Sequence, residues 1–90
     1  MDTPPRVHHL RTHAGRQEID LVFNVGRGRA VALEFKAASA VATTDARHLL
    51  ALRDDLGERF LAGAVIYSGA QLYEIADRVF AIPLCALPPL

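Results

Sequence analysis

Apolar and polar residues alternate most cleanly from Gln17 to Val25. Ile19, Leu21, Phe23 and Val25 fall on one side, Glu18, Asp20, Val22 and Asn24 on the other. A two-residue period marks a half-buried strand, because successive side chains leave opposite faces of the pleat. Gly26-Arg27-Gly28 interrupts the pattern, which resumes from Arg29 to Lys36. There Val31, Leu33 and Phe35 take one side and Ala30, Ala32, Glu34 and Lys36 the other. Two alternating runs joined by a short glycine-bearing loop predict a hairpin. A three-residue loop sets Val25 against Arg29, and hence Asp20 against Glu34 and Glu18 against Lys36.

Upstream, residues 1–5 read as a proline-stiffened lead-in, Val7 to His13 as a short polar strand, and Ala14-Gly15 as a turn. Downstream, Ala46, Leu49, Leu50, Leu52 and Leu56 recur at helical spacing within Thr43–Leu56. Thr43 or Thr44 suits the N-cap, Asp45 the positive end of the helix dipole, and Gly57 the stop. Phe60 to Tyr67 is a nearly continuous apolar run of strand length, as a strand covered on both faces requires. Leu72–Ala76 and Val79–Leu84 read as further short strands beyond the Ser68-Gly69 turn. A hairpin followed by a helix and a buried strand implies a crossover that returns parallel to the preceding strand. The predicted class is α/β with a mixed central sheet.

Composition narrows this picture rather than changing it. The chain has 90 residues, 51% of them hydrophobic, which suits one domain with a folded core. A domain of this size buries only roughly 60% of its unfolded surface, which favours a partner or an oligomer. The single cysteine, Cys85, excludes an internal disulfide and reads as a small buried apolar residue. No signal peptide is visible, and the longest apolar run is too short to span a bilayer, so the expected location is the cytoplasm, with no membrane contact.

The formal net charge is zero, which gives no general attraction to polyanions. Basic residues are nevertheless concentrated in positions 1–36, where Arg11, Arg16 and Arg27 are candidate contacts to a nucleic-acid backbone. His8, His9 and His13 lie there too, but no cysteine or carboxylate at ligand spacing supports a dedicated zinc site.

The hairpin carries the candidate chemistry. Its register gathers Glu18, Asp20, Glu34 and Lys36 on one face, with opposed Cβ atoms roughly 4.5–5.5 Å apart. Like charges in that position destabilise a sheet, and a hard divalent cation such as Mg²⁺ resolves the conflict. The same pattern also describes an ordinary solvated strand face, with Glu18–Lys36 as a surface ion pair of little energetic weight. Spacing alone leaves both readings open.

Glu18-Ile19-Asp20-Leu21-Val22, a glycine-bearing gap, and Leu33-Glu34-Phe35-Lys36-Ala37 resemble the signature of the PD-(D/E)xK nuclease superfamily. The stretch His13–Val22, Glu34-Phe35-Lys36-Ala37, Phe60-Leu61-Ala62-Gly63 and the ending Val79–Leu84 are similar to one branch of it. That branch is a C-terminal domain of unknown function, number 4143, of prokaryotic AAA-type ATP-binding proteins. The similarity spans roughly residues 7–87 and implies a three-layer restriction-endonuclease-like core in β-β-β-α-β-β order, here without the usual N-terminal helix. It implies Mg²⁺ or Mn²⁺ held by Asp20 and Glu34, Glu18 as a further ligand, and a catalytic role for Lys36. In such a site the metal polarises the phosphodiester, while the lysine orients the attacking water and offsets developing charge.

Three functions follow as expectations. The first is a divalent-metal-dependent endonuclease acting on DNA. The second is a noncatalytic accessory or oligomerisation module of an AAA-type ATPase system, and the third a nucleic-acid-binding module that does not cut. A mixed sheet needs cover on both faces and the chain offers one helix, so a second copy or another protein is expected over the uncovered face. No phosphate-loop motif is present in these residues.

Overall fold

The computed structural model describes residues 6–11 and 18–86, with side chains from Ile19 onward. Six strands form one mixed sheet: β1 (Arg6–Arg11), β2 (Glu18–Asn24), β3 (Ala30–Lys36), β4 (Phe60–Tyr67), β5 (Tyr73–Ala76) and β6 (Val79–Pro83). Their spatial order is β1-β2-β3-β4-β6-β5. The helix α1 (Arg47–Leu56) makes the crossover between β3 and β4, which are parallel as expected. β6 also runs parallel to β4, while β5 closes the sheet as an antiparallel edge.

The class is therefore α/β, with the three strands after the helix that the sequence pattern predicts, one more than the β-β-β-α-β-β order implied by the resemblance. The extra strand exists because Asp77-Arg78 turns the chain sharply back on itself, Arg78 adopting a left-handed φ of 63°. One helical layer is present among the described residues, so two of the three expected layers are seen. None of the described helices is long and apolar enough to cross a membrane.

The hairpin has the predicted register. Asn24 pairs with Ala30, Val22 with Ala32 and Leu21 with Leu33. Gly26, Arg27 and Gly28 all take positive φ, at 99°, 58° and 73°, which closes the three-residue loop. Val25 N–H then donates to Arg29 O at 3.0 Å.

Face assignment in β2 differs from the simple alternation. Val22 faces His8 and Ile19 faces Leu10, so β2 advances three residues while β1 advances two. That extra residue is a β-bulge, and it rotates everything before it by one face. Ile19 therefore joins Val22 in the core instead of siding with Leu21.

The core lies between the sheet and α1. Ile19, Ala32, Ala46, Leu49, Phe60, Val65 and Val79 form its buried centre. Gly63 on β4 lets the helix approach: a Cβ there would stand 2.7 Å from Phe60 Cζ and 3.5 Å from Leu49 Cδ2. The central strand β4 is buried from Gly63 to Tyr67, as its continuous apolar sequence requires.

The helix begins later than its periodicity suggested. Thr43–Ala46 is a turn of 3-10 helix, and neither threonine caps it. Asp45 reaches back instead, its Oδ2 accepting the Ala42 N–H at 2.7 Å. Gly57 ends α1 as expected, with φ 58°. Cys85 is exposed, not buried, because the chain leaves the sheet at Pro83 and enters a surface 3-10 turn.

Candidate metal centre

The bulge in β2 shapes the candidate site. The regular β2–β3 ladder ends at Leu21↔Leu33, and beyond it the Asp20 side chain takes over. Asp20 Oδ2 accepts the N–H of Phe35 at 2.7 Å, which fixes this carboxylate against β3 beside Glu34. Glu34 projects from the opposite side of that peptide, on the face that α1 covers.

Glu34 is a poorly solvated carboxylate, its side chain 18% exposed. Burial pushes its carboxyl above the usual carboxylate range. His48 opposes that shift, while the charges of Asp20 and Asp45 reinforce it. Nδ1 of His48 stands 3.6 Å from Glu34 Oε1, an ion-pair distance when the ring is protonated but just beyond hydrogen-bond reach. The buried Oε1 accordingly has no hydrogen-bond partner among the described residues. Such an atom is costly unless something else satisfies it.

Lys36 lies two residues along β3 on the same face. Its ammonium pairs with Asp45 Oδ1 at 2.5 Å; the expected partner, Glu18, has its side chain outside the described residues. The pairing follows from packing, since the turn at Thr43–Ala46 brings Asp45 over the end of β3. The Lys36 and Ala42 hydrogen bonds hold the Asp45 carboxyl below its ordinary range. Lys36 also borders an open, mostly apolar concavity of about 400 Å³ with Phe35, Ile66, Ser68 and Leu84.

Asp20, Glu34 and Lys36 are thus brought to one end of the hairpin. The Glu18 and Arg11 side chains, and Arg16 altogether, lie outside the described residues, as do the side chains of His8 and His9 and all of His13. Arg27 is exposed at the hairpin tip, at the far end of β3 from the carboxylates.

Among the described residues, no three His, Cys, Asp or Glu side chains converge on one point as a metal site. Two carboxylates nevertheless suit Mg²⁺, which is commonly held by one or two of them with water and substrate phosphate completing the shell. The unsatisfied Glu34 Oε1 beside Asp20 fits that donor set.

Asp45 and His48 were not among the sequence candidates. Three residues apart, they share the helix-side surface that meets Glu34 and Lys36, themselves two apart on β3. The i,i+3 spacing of an acid and a histidine after a Glu-x-Lys strand was the available signal.

The chain matches the family described as a domain of unknown function (DUF4143) over residues 1–87, and belongs to that family. No curated protein and no solved structure matches it.

Proposed function

We propose that this is a PD-(D/E)xK-type, divalent-metal-dependent nuclease-like domain that hydrolyses DNA phosphodiesters. The observation that carries the reading is the buried, hydrogen-bond-deficient Oε1 of Glu34 set beside Asp20 at the end of a hairpin. Two adjacent carboxylates, one desolvated, are a poor arrangement for a sheet alone and a good one for a hard cation.

Asp20 and Glu34 would hold Mg²⁺ or Mn²⁺. When bound, the cation stabilises negative charge building on the phosphodiester oxygens. Lys36 places a fixed positive charge next to the scissile phosphate and orients the attacking water. Asp45 restrains the Lys36 ammonium, so less side-chain freedom is lost when substrate arrives.

The test is cleavage of supercoiled and single-stranded DNA with Mn²⁺, Mg²⁺ or EDTA, alongside Asp20→Asn and Lys36→Ala. Metal-dependent cutting is expected from the wild type, with at least a hundredfold loss in each variant. A folded wild type that cuts neither DNA with either metal refutes the reading.

A second reading is a noncatalytic accessory or oligomerisation module of an AAA-type ATPase system. It is favoured by the exposure of Phe35 and Leu84 beside the apolar concavity, on the sheet face away from α1. Sedimentation across a concentration series tests self-association, and a monodisperse monomer counts against oligomerisation.

A further inference from the structure

The helix side of the site holds a feature that the carboxylate–lysine signature does not contain. His48 is largely buried, its side chain 12% exposed, and among the described residues it lies between Arg47 and Glu34. Arg47 Nε donates to His48 Nε2 at 3.4 Å. A ring nitrogen that accepts carries no proton, so in the neutral imidazole the hydrogen sits on Nδ1. Nδ1 is the atom that faces Glu34 Oε1, at 3.6 Å. Arg47 therefore selects the tautomer that points a donor at the unsatisfied carboxylate oxygen.

We infer that His48, held in its Nδ1–H tautomer by Arg47, is a positioning residue for Glu34 that aims this carboxylate at a divalent cation. The inference rests on the metal-site reading above and adds the residue that orients one of its ligands. Ligating carboxylates are themselves hydrogen-bonded, and removal of such outer partners typically costs 10–100-fold in metal affinity. His48 suits the task because β3 alone cannot orient Glu34. The strand fixes the Cα position, but three side-chain torsions remain free until something packed above the sheet restrains them. The first turn of α1 supplies that restraint, and the Asp45 contact to Lys36 anchors the 3-10 turn just before it to β3.

The chemistry distinguishes two amide replacements. The amide nitrogen of an asparagine occupies nearly the position of a histidine Nδ1, whereas that of a glutamine occupies nearly the position of Nε2. His48→Asn therefore keeps a donor towards Glu34, and His48→Gln does not. His48→Leu fills the space with no donor.

The test is Mn²⁺ binding to the full chain, read by calorimetry and by the loss of the free-ion electron paramagnetic resonance signal, without any substrate. Circular dichroism confirms that each variant is folded. Affinity is expected to fall by at least tenfold in His48→Leu and His48→Gln and to stay within about threefold of wild type in His48→Asn. In a Glu34→Gln background, His48→Leu is expected to cause no further loss. A folded His48→Leu that binds as tightly as wild type, while Glu34→Gln does not, overturns the role of His48 and leaves the metal site standing. Equal losses in the Asn and Leu variants also overturn it, since only bulk or ring packing would then matter. Wild type and Glu34→Gln binding Mn²⁺ equally, or neither binding, removes the metal site and this inference together.

Discussion

At the scale of single residues, Glu34 decides most. Its carboxyl is raised above its ordinary value of 4.5, chiefly by burial. A raised folded-state value means that the protonated form suits the fold better. The corresponding stability is fully present below 4.5 and is lost as pH climbs through the raised value. Glu34→Gln cannot ionise, so in metal-free buffer it should gain on the wild type as pH rises from acid to neutral. At pH near 7.5 it should therefore melt above the wild type, and at pH below 4.5 the difference should close. Added Mn²⁺ should reverse the order, because a ligand bound only by the native state stabilises that state. Thermal melts of both proteins at acid and neutral pH, with and without metal, check this. A gap between them that ignores pH would mean that Glu34 is not the strained charge.

At the scale of elements, the register of β2 and β3 was legible because Gly26 and Gly28 bracket a loop of fixed length. Once the loop is three residues, the pairs from Asn24↔Ala30 to Leu21↔Leu33 follow; past them the ladder stops and Asp20 meets β3 through the Phe35 N–H instead. The bulge was not legible, because Ile19, Leu21, Val22 and Phe23 are all apolar and either phase of alternation buries some of them. The partners of Glu34 and Lys36 were illegible for another reason. Asp45 and His48 reach them only through the angle at which α1 crosses β3, and a helical stripe in the sequence does not encode that angle.

Gly63 helps set the helix-to-sheet distance and offers a direct check. A Cβ at this position would overlap Phe60 Cζ at 2.7 Å and come into ordinary contact with Leu49 Cδ2 of α1 at 3.5 Å, so the displaced Phe60 ring has to move within the packing beneath the helix. Both neighbours are fully buried and have little room to yield. Gly63→Ala should cost about 1–3 kcal/mol in urea denaturation, the usual range for an overpacked core. Because α1 carries His48, the same substitution should also weaken Mn²⁺ binding. An unchanged unfolding midpoint would show that the helix has slack against the sheet.

Across the whole molecule, charge is divided between the ends of the hairpin even though the formal net charge is zero. The carboxylates and Lys36 gather near the end of β3. Arg29 and Arg59 immediately precede β3 and β4, whose first residues, Ala30 and Phe60, are paired. Arg27 tops the β2–β3 loop, and a Cβ on Gly28 would stand 3.3 Å from Arg59 Nη1, which places that guanidinium across the hairpin tip. All three arginines are exposed, and among the described residues none is ion-paired with a carboxylate. They lie at the opposite end from Glu34, roughly 16 Å along the strand at the usual rise per residue.

A neutral domain has no long-range field to draw in DNA, so any affinity must come from local contacts such as these. Each phosphate neutralised adds about −0.9 to the slope of log affinity against log salt. If this end grips the backbone, replacing Arg27, Arg29 and Arg59 together by Gln should make that slope shallower by roughly three. Fluorescence anisotropy with a labelled duplex, titrated over a salt series in EDTA, measures it without cleavage. A slope unchanged by the triple substitution would place DNA contacts elsewhere, while a loss of slope with metal-dependent cutting retained would separate the gripping end from the cutting end. The two ends would then act as independent modules of one hairpin, joined by the seven residues of β3.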